Sequence, residues 1–158
     1  MISDIVRIPK ERKPVLIGKD GSFKRFLEKK TKTTIKIDVD VEISGEPLDV
    51  MKVVNIVKAI GRGFSSDDAK LLLNEDYVLE VISLYGETSK TIKRLMGRVI
   101  GRKGYTKEKI EKKTNTMISV FGKTVSIIGK GDGLIKAYNS LNALLSGRQH
   151  AYAYKKLD

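Results

Sequence analysis

Two rhythms of apolar residues alternate along this chain, one of helical period and one of period two. The second half runs through them in the same order as the first. Residues 4–8, DIVRI, read as a short strand that Pro9 ends. A basic turn spans 10–15 and Pro14 keeps it short. IGKDG follows at 17–21. From 22 to 32, Phe23, Phe26 and Leu27 share one helical face. From 33 to 43 the period drops to two: Ile35, Ile37, Val39, Val41 and Ile43 alternate with polar residues, as in a half-buried hairpin turning at 38–40. Pro47 suits the first position of a helix whose apolar face is Val50, Val53, Val54, Val57 and Ile60, and Gly61 lies just past its end.

Residues 61–65, GRGFS, interrupt both rhythms. Ser65 or Ser66 can cap a short helix to Asn74, with Asp67 and Asp68 in a first turn that favours anions. The pattern then restarts. A strand covers 77–84. Thr88 or Ser89 caps a helix whose Ile92, Leu95, Met96 and Val99 fall at i, i+3, i+4 and i+7, while Lys90, Arg94 and Arg98 form a separate basic stripe. IGRKG at 100–104 leads into a helix through Lys113. Strands at 117–120 and 125–128 flank a turn at Gly122, and GKGDG at 129–133 opens a last helix to about 146. The tail HAYAYKKLD closes the chain.

Placing IGKDG over IGRKG, an offset of 83, turns this likeness of order into a repeat. Ile17, Gly18, Gly21, Lys24, Glu28, Lys29, Lys30, Thr31, Thr33 and Ile35 meet identical residues, ten of the 21 positions from 17 to 37. Two copies of this length make two small domains rather than a solenoid, which needs three or more shorter units. Gly18/Gly21 and Gly101/Gly104 bracket the turn between two helices, where glycine allows backbone angles and close approaches closed to other residues.

Charge separates the copies. The chain carries +12 overall. Up to Leu79 there are 15 Lys/Arg against 13 Asp/Glu; beyond it there are 16 against 6. Residues 89–113, around the second loop, hold ten cations and two acids. So one-sided a field favours a polyanion, most simply nucleic acid. There is no Cys, which removes disulfides and thiolate metal sites, and the single His150 removes His-based metal clusters and pairs. No apolar run reaches a membrane span, no leader pattern opens the chain, and a cytoplasmic protein is expected.

Each copy reads β-α-GxxG-α-β-β-α. With I-G-K-D-G and I-G-R-K-G at the helix–helix turn, it resembles the type I KH domain, a single-stranded RNA-binding module. The stretches IVKAIGRGFS, DYVLEVI, GRVIGRKGYTKEKIE and HAYAYK are similar to the archaeal double-KH proteins related to Krr and to the partner-of-Nob ribosome biogenesis factor. The resemblance implies an α+β fold of two tandem domains, each a three-stranded antiparallel sheet packed on one side by three helices. It places the first KH-like domain at 1–62, a connecting helix at 63–76, the second domain at 77–150 and a tail at 151–158. It also implies binding to small-subunit ribosomal RNA near its 3′ end, alongside a Nob-type endonuclease or another ribosome assembly factor. The chain departs from the family pattern at Lys24 and Lys107, where an aliphatic residue is usual; recurrence in both copies is read as a shared trait, an added phosphate contact.

The residues expected to touch RNA are Gly101, Arg102, Lys103 and Gly104, with Arg98, Lys107 and Ile100 beside them, and Gly18, Lys19 and Gly21 in the first loop. Asp20 cancels the charge of Lys19, so the first copy should bind more weakly or serve protein contacts. Ile100, Ile110, Ile118 and Val120 would line an aliphatic platform; without Trp, recognition by extensive aromatic stacking is disfavoured. Asp38, Asp40 and Glu42 alternate on one strand, but a solvated hairpin tip explains them better than a cation site, so no metal, cofactor or catalytic residue is assigned and the expected class is a non-enzymatic binding protein. GKGDG lacks a third glycine at Leu134 and reads as a strand-to-helix loop. The alternative is a protein-interaction adaptor in which one or both KH-like domains bind a protein.

Overall fold

The computed structural model describes residues 1–158, in two compact units, Met1–Glu75 and Asp76–Asp158. The first contains β1 (Ile2–Val6), α1 (Lys13–Ile17), α2 (Ser22–Thr31), β2 (Thr34–Ile37), β3 (Val41–Gly45) and α3 (Pro47–Gly61). A short α4 (Ser66–Ala69) and a 3-10 turn (Lys70–Leu73) then pack back on α3. The second contains β4 (Val78–Ser83), α5 (Ser89–Ile100), α6 (Tyr105–Thr114), β5 (Met117–Phe121), β6 (Thr124–Gly129), α7 (Gly131–Leu145) and α8 (His150–Lys155). In each unit the last strand lies between the other two, in the orders β1-β3-β2 and β4-β6-β5, all antiparallel. This is the expected α+β architecture, twice. No helix is long and apolar enough to cross a membrane.

The core of the second unit follows from the two periods. Ile118 pairs with Ile127 across β5 and β6, and both project with Val125 toward the helices. Ile92, Leu95 and Val99 of α5, Ile110 of α6 and Leu141 and Leu144 of α7 close over them. Each such side chain contributes about 1.5–3 kcal/mol by leaving water. Ile35 pairs with Ile43 in the first unit in the same way.

Several boundaries shift for identifiable reasons. β1 lies at Ile2–Val6 rather than 4–8 because its register against β3 ends where Val6 meets Val41. Pro14 sits in the first turn of α1 instead of breaking it, since a first-turn residue needs no amide donor. The expected caps form: the Ser65 hydroxyl accepts the Asp68 N–H and that of Thr88 accepts the Thr91 N–H. The tail is no loose end. Residues 150–155 form α8, which packs on α7 and buries Ala153 and Leu157 in the core. At the hairpin tip Arg7 pairs with Asp40 at 3.0 Å, and Lys13 Nζ donates to the carbonyls of Asp38 and Val39.

The run EKKT–T–I, identical in both copies, is a latch between helix and strand. In the second unit the Thr114 hydroxyl donates to the Ile110 carbonyl at 2.6 Å and shares a 2.8 Å hydrogen bond with Thr116. The Glu111 carboxylate accepts the Ile118 N–H at 2.9 Å and is met by Lys107 Nζ at 3.2 Å. Thr31, Thr33, Glu28, Ile35 and Lys24 repeat every one of these bonds in the first unit. Between helix and strand the chain turns through one left-handed residue, Lys32 or Asn115. The lysine that departs from the family pattern is therefore the counter-charge of a glutamate needed to hold the edge strand. Glu111→Ala should destabilise the second unit by about 1–2 kcal/mol, because it strands a part-buried amide. Urea unfolding would measure the loss, and accelerated exchange of the Ile118 amide would localise it.

Candidate nucleic-acid interface

The two helix–helix turns have one backbone. Gly18 and Gly101 sit at φ +78° and +75° with ψ near 176°, a region open in practice only to glycine. Sterics demand it as well: a Cβ on Gly18 would lie 2.7 Å from the Phe23 nitrogen, and one on Gly101 would strike the Thr106 side chain. Gly21 and Gly104 take φ of 78° and 77°, and the residue before each, Asp20 or Lys103, is left-handed at φ 55°. Aspartate tolerates that conformation; for lysine it costs roughly 1–2 kcal/mol. The second loop thus holds a cation against the local preference of its backbone, and strain of this kind gathers at functional sites.

Side chains then divide the loops. Arg102 and Lys103 are exposed at the head of α6, whose N-terminus also favours anions, and neither has an ion-pair or hydrogen-bond partner. Beyond Gly104 there is open space: an added Cβ would meet nothing within 4 Å. In the first loop Arg25 Nη1 donates to the Asp20 carbonyl at 2.6 Å and lies 2.8 Å from where a Gly21 Cβ would stand. That guanidinium covers the approach that is open at Gly104. The residue at the offset of 83 is Glu108, which carries no such cover.

The other expected residues fall into two groups. Ile100 is 38% exposed beside the loop, as its counterpart Ile17 is at 37%, and Val120 is half-buried. Ile110 and Ile118 are core. Lys19 is exposed beside Gly18. Lys107 faces β5 and is held by Glu111. Arg98 turns from the loop to brace the end of α7: its Nε donates to the Leu144 carbonyl at 3.1 Å and its Nη2 to the Arg148 carbonyl.

A groove of about 870 Å³ opens on the α8 side of the second loop, with Arg94, Gly97, Arg102, Lys103, Tyr105 and His150 on its walls. His150 and α8, which border this groove, are the elements missed in the sequence. His150 Nε2 donates to the Arg98 carbonyl at 3.0 Å. The Tyr154 hydroxyl bonds the Thr106 hydroxyl at 3.1 Å, so α8 fixes the residue against which Gly101 packs. Lys109 lies 4.1 Å over the Tyr154 ring. The available signal was slight: Ala153 and Leu157 at i, i+4. Gly97, in mid-helix, was a clearer one.

Comparisons with known proteins identify the family of both units. Residues 78–158 match the family model of the eukaryotic type KH domain (type I), and residues 3–59 match that of the KH domain. A KH domain-containing protein of Methanocaldococcus jannaschii is 42% identical over 98% of this chain and 72% of its own length. The pre-rRNA-processing protein PNO1 of Saccharomyces cerevisiae is 29% identical over 81% of this chain, which spans only 48% of that protein. Among solved structures, a chain of the a/eIF2alpha–aDim2p–rRNA complex from Pyrococcus horikoshii is 43% identical, with a TM-score of 0.90 over 99% of this chain and 92% of that one.

Two glycines of the site should respond oppositely to a methyl group. Gly97→Ala fills empty space on a helix and should stabilise the protein by about 1 kcal/mol. Gly101→Ala should cost about 1–3 kcal/mol through strain and collision with Thr106. Urea denaturation of the two variants beside the parent chain checks both signs.

Proposed function

This chain belongs to the KH-domain family, with two KH domains in tandem of which the second matches type I, and from that premise we propose that it binds single-stranded RNA through Gly101–Gly104 as a non-enzymatic cytoplasmic protein. The observation that carries the reading is the pair of uncommitted cations, Arg102 and Lys103, on an open left-handed turn at the head of α6. In this module the loop clamps about four nucleotides by their backbone. Gly101 and Gly104 let the phosphates approach, the two side chains neutralise them, and the bases lie toward Ile100 and the half-buried Val120.

The RNA is small-subunit ribosomal RNA near its 3′ end, bound during ribosome maturation and presented to a Nob-type endonuclease or another assembly factor. Support comes from the relatives named for pre-rRNA processing and from the structural neighbour in a complex containing rRNA. The first domain plays a different part. Asp20 opposes a phosphate, and Arg25 lies over Gly21. This domain binds RNA weakly through Gly18, Lys19 and Gly21, or docks a protein partner, with residues 63–76 as the connector between domains.

The test is Arg102→Asp with Lys103→Asp. Asp20 shows that this backbone accepts aspartate at the left-handed position, so the loop should keep its shape. Affinity for ribosomal 3′-end RNA should fall about 100-fold, and the salt slope should drop by about 1.4, two phosphate contacts at 0.7 each. Lys19→Asp with Gly21→Asp should weaken binding less. Parent affinity in the first double variant would sink the clamp.

A further inference from the structure

The second loop has two sides; the bases of the clamped nucleotides lie toward one, and Arg102 and Lys103 also line the other. Lys107 and Glu111 turn toward β5, where Glu111 holds the Ile118 amide, and the exposed Ile100 stands next to the loop. Tyr105 and Thr106 turn toward α8, where they meet Tyr154. The groove of about 870 Å³ lies on this α8 side.

We propose that this groove is a second RNA subsite, which takes nucleotides of the same strand that continue past those held by the loop. The inference rests on the clamp at Gly101–Gly104. Charge identifies the occupant. Arg94, Arg102 and Lys103 line the groove without partners of their own, against one acid, Glu108, which has Lys112 at 3.9 Å. Its surface admits a backbone. Gly97 presents bare helix to the groove, with nothing within 4 Å of where a Cβ would be, so a ribose-phosphate can lie directly against α5. Its walls suit bases. Tyr105 is 57% exposed, its ring lies at 80° to that of Tyr154 with Lys109 Nζ 5.8 Å over it, and the exposed part of the ring offers a base a stacking surface. His150 also has one edge assigned. A carbonyl only accepts, so Nε2 carries the proton given to the Arg98 oxygen, and Nδ1 is left as an acceptor for a base amine or a ribose 2′-hydroxyl.

A helix supplied by the tail thus turns a loop that grips one short stretch into a site for a longer strand. Arg98 and Thr106, tied to the tail segment through hydrogen bonds, keep the far wall in register with the loop.

The test uses the full chain and two fluorescent single-stranded RNAs of mixed sequence, a tetranucleotide and a dodecanucleotide. Arg94→Glu removes a groove cation, and Gly97→Leu puts a bulky side chain into the groove from a position where an added Cβ meets nothing within 4 Å. Each should lower affinity for the dodecamer about tenfold and leave the tetramer unchanged. The thermal midpoint of Gly97→Leu should be at or above that of the parent, which separates blocking from misfolding. Arg102→Asp with Lys103→Asp should weaken both RNAs. If that loop variant weakens both while Arg94→Glu and Gly97→Leu bind the dodecamer as the parent does, the groove proposal is overturned and the clamp stands; the groove would then be free for an acidic protein segment. If the loop variant binds both RNAs as the parent does, the clamp falls and the groove proposal falls with it.

Discussion

The second domain depends on one steric fact: where α5 gives way to α6, the chain passes so close to Thr106 that residue 101 can have no side chain. The reversal is therefore tight, and the two residues after Gly101 are forced outward at the head of a helix. Thr106 is itself pinned by the Tyr154 hydroxyl of α8. Fold and site meet in this contact. The glycine sets the turn, the turn exposes Arg102 and Lys103, and the last helix keeps the surface against which the glycine packs.

The first domain obeys the same fact with Phe23 in place of Thr106. Backbone geometry is shared to within a few degrees at Gly18 and Gly101, Asp20 and Lys103, and Gly21 and Gly104. Charge and cover nevertheless differ, because shape does not fix them. Asp20 relaxes a backbone angle that Lys103 strains, and Arg25 bonds back to the loop it flanks. A loop that is locally comfortable and covered by its own arginine is stable and poorly exposed to a polyanion. Its twin is strained, bare and cationic.

Most of the fold was legible because its determinants are local or repeated. Period-two and period-3.6 stretches gave the strands and helices, and the offset of 83 located both loops. The identities were harder to interpret. Lys107 looked like a phosphate contact because it recurs, whereas it recurs to neutralise Glu111; the i, i+4 spacing of the two was visible and was the better clue. Arg98 belonged to a basic stripe on paper, but its partners, the Leu144 and Arg148 carbonyls, lie about fifty residues away and no local pattern announces them. α8 was illegible for a similar reason. Six residues anchored by Ala153, with Leu157 just beyond them, have no stability of their own, and only packing on α7 makes them a helix.

Net charge was the right signal for a cruder reason than its size suggests. Ten cations crowd residues 89–113, but four are committed: Lys107 and Lys112 to glutamates, Arg98 to the end of α7, and Lys109 to the face of Tyr154. Such cations still add to the distant field that steers a polyanion toward this domain. They add little at contact, since a phosphate must displace an existing partner to use them. Of those that remain, Arg94, Arg102 and Lys103 line one groove. These three are the cations a phosphate could meet without displacing a partner, and the missing side chains of Gly97 and Gly104 leave the backbone beside them open.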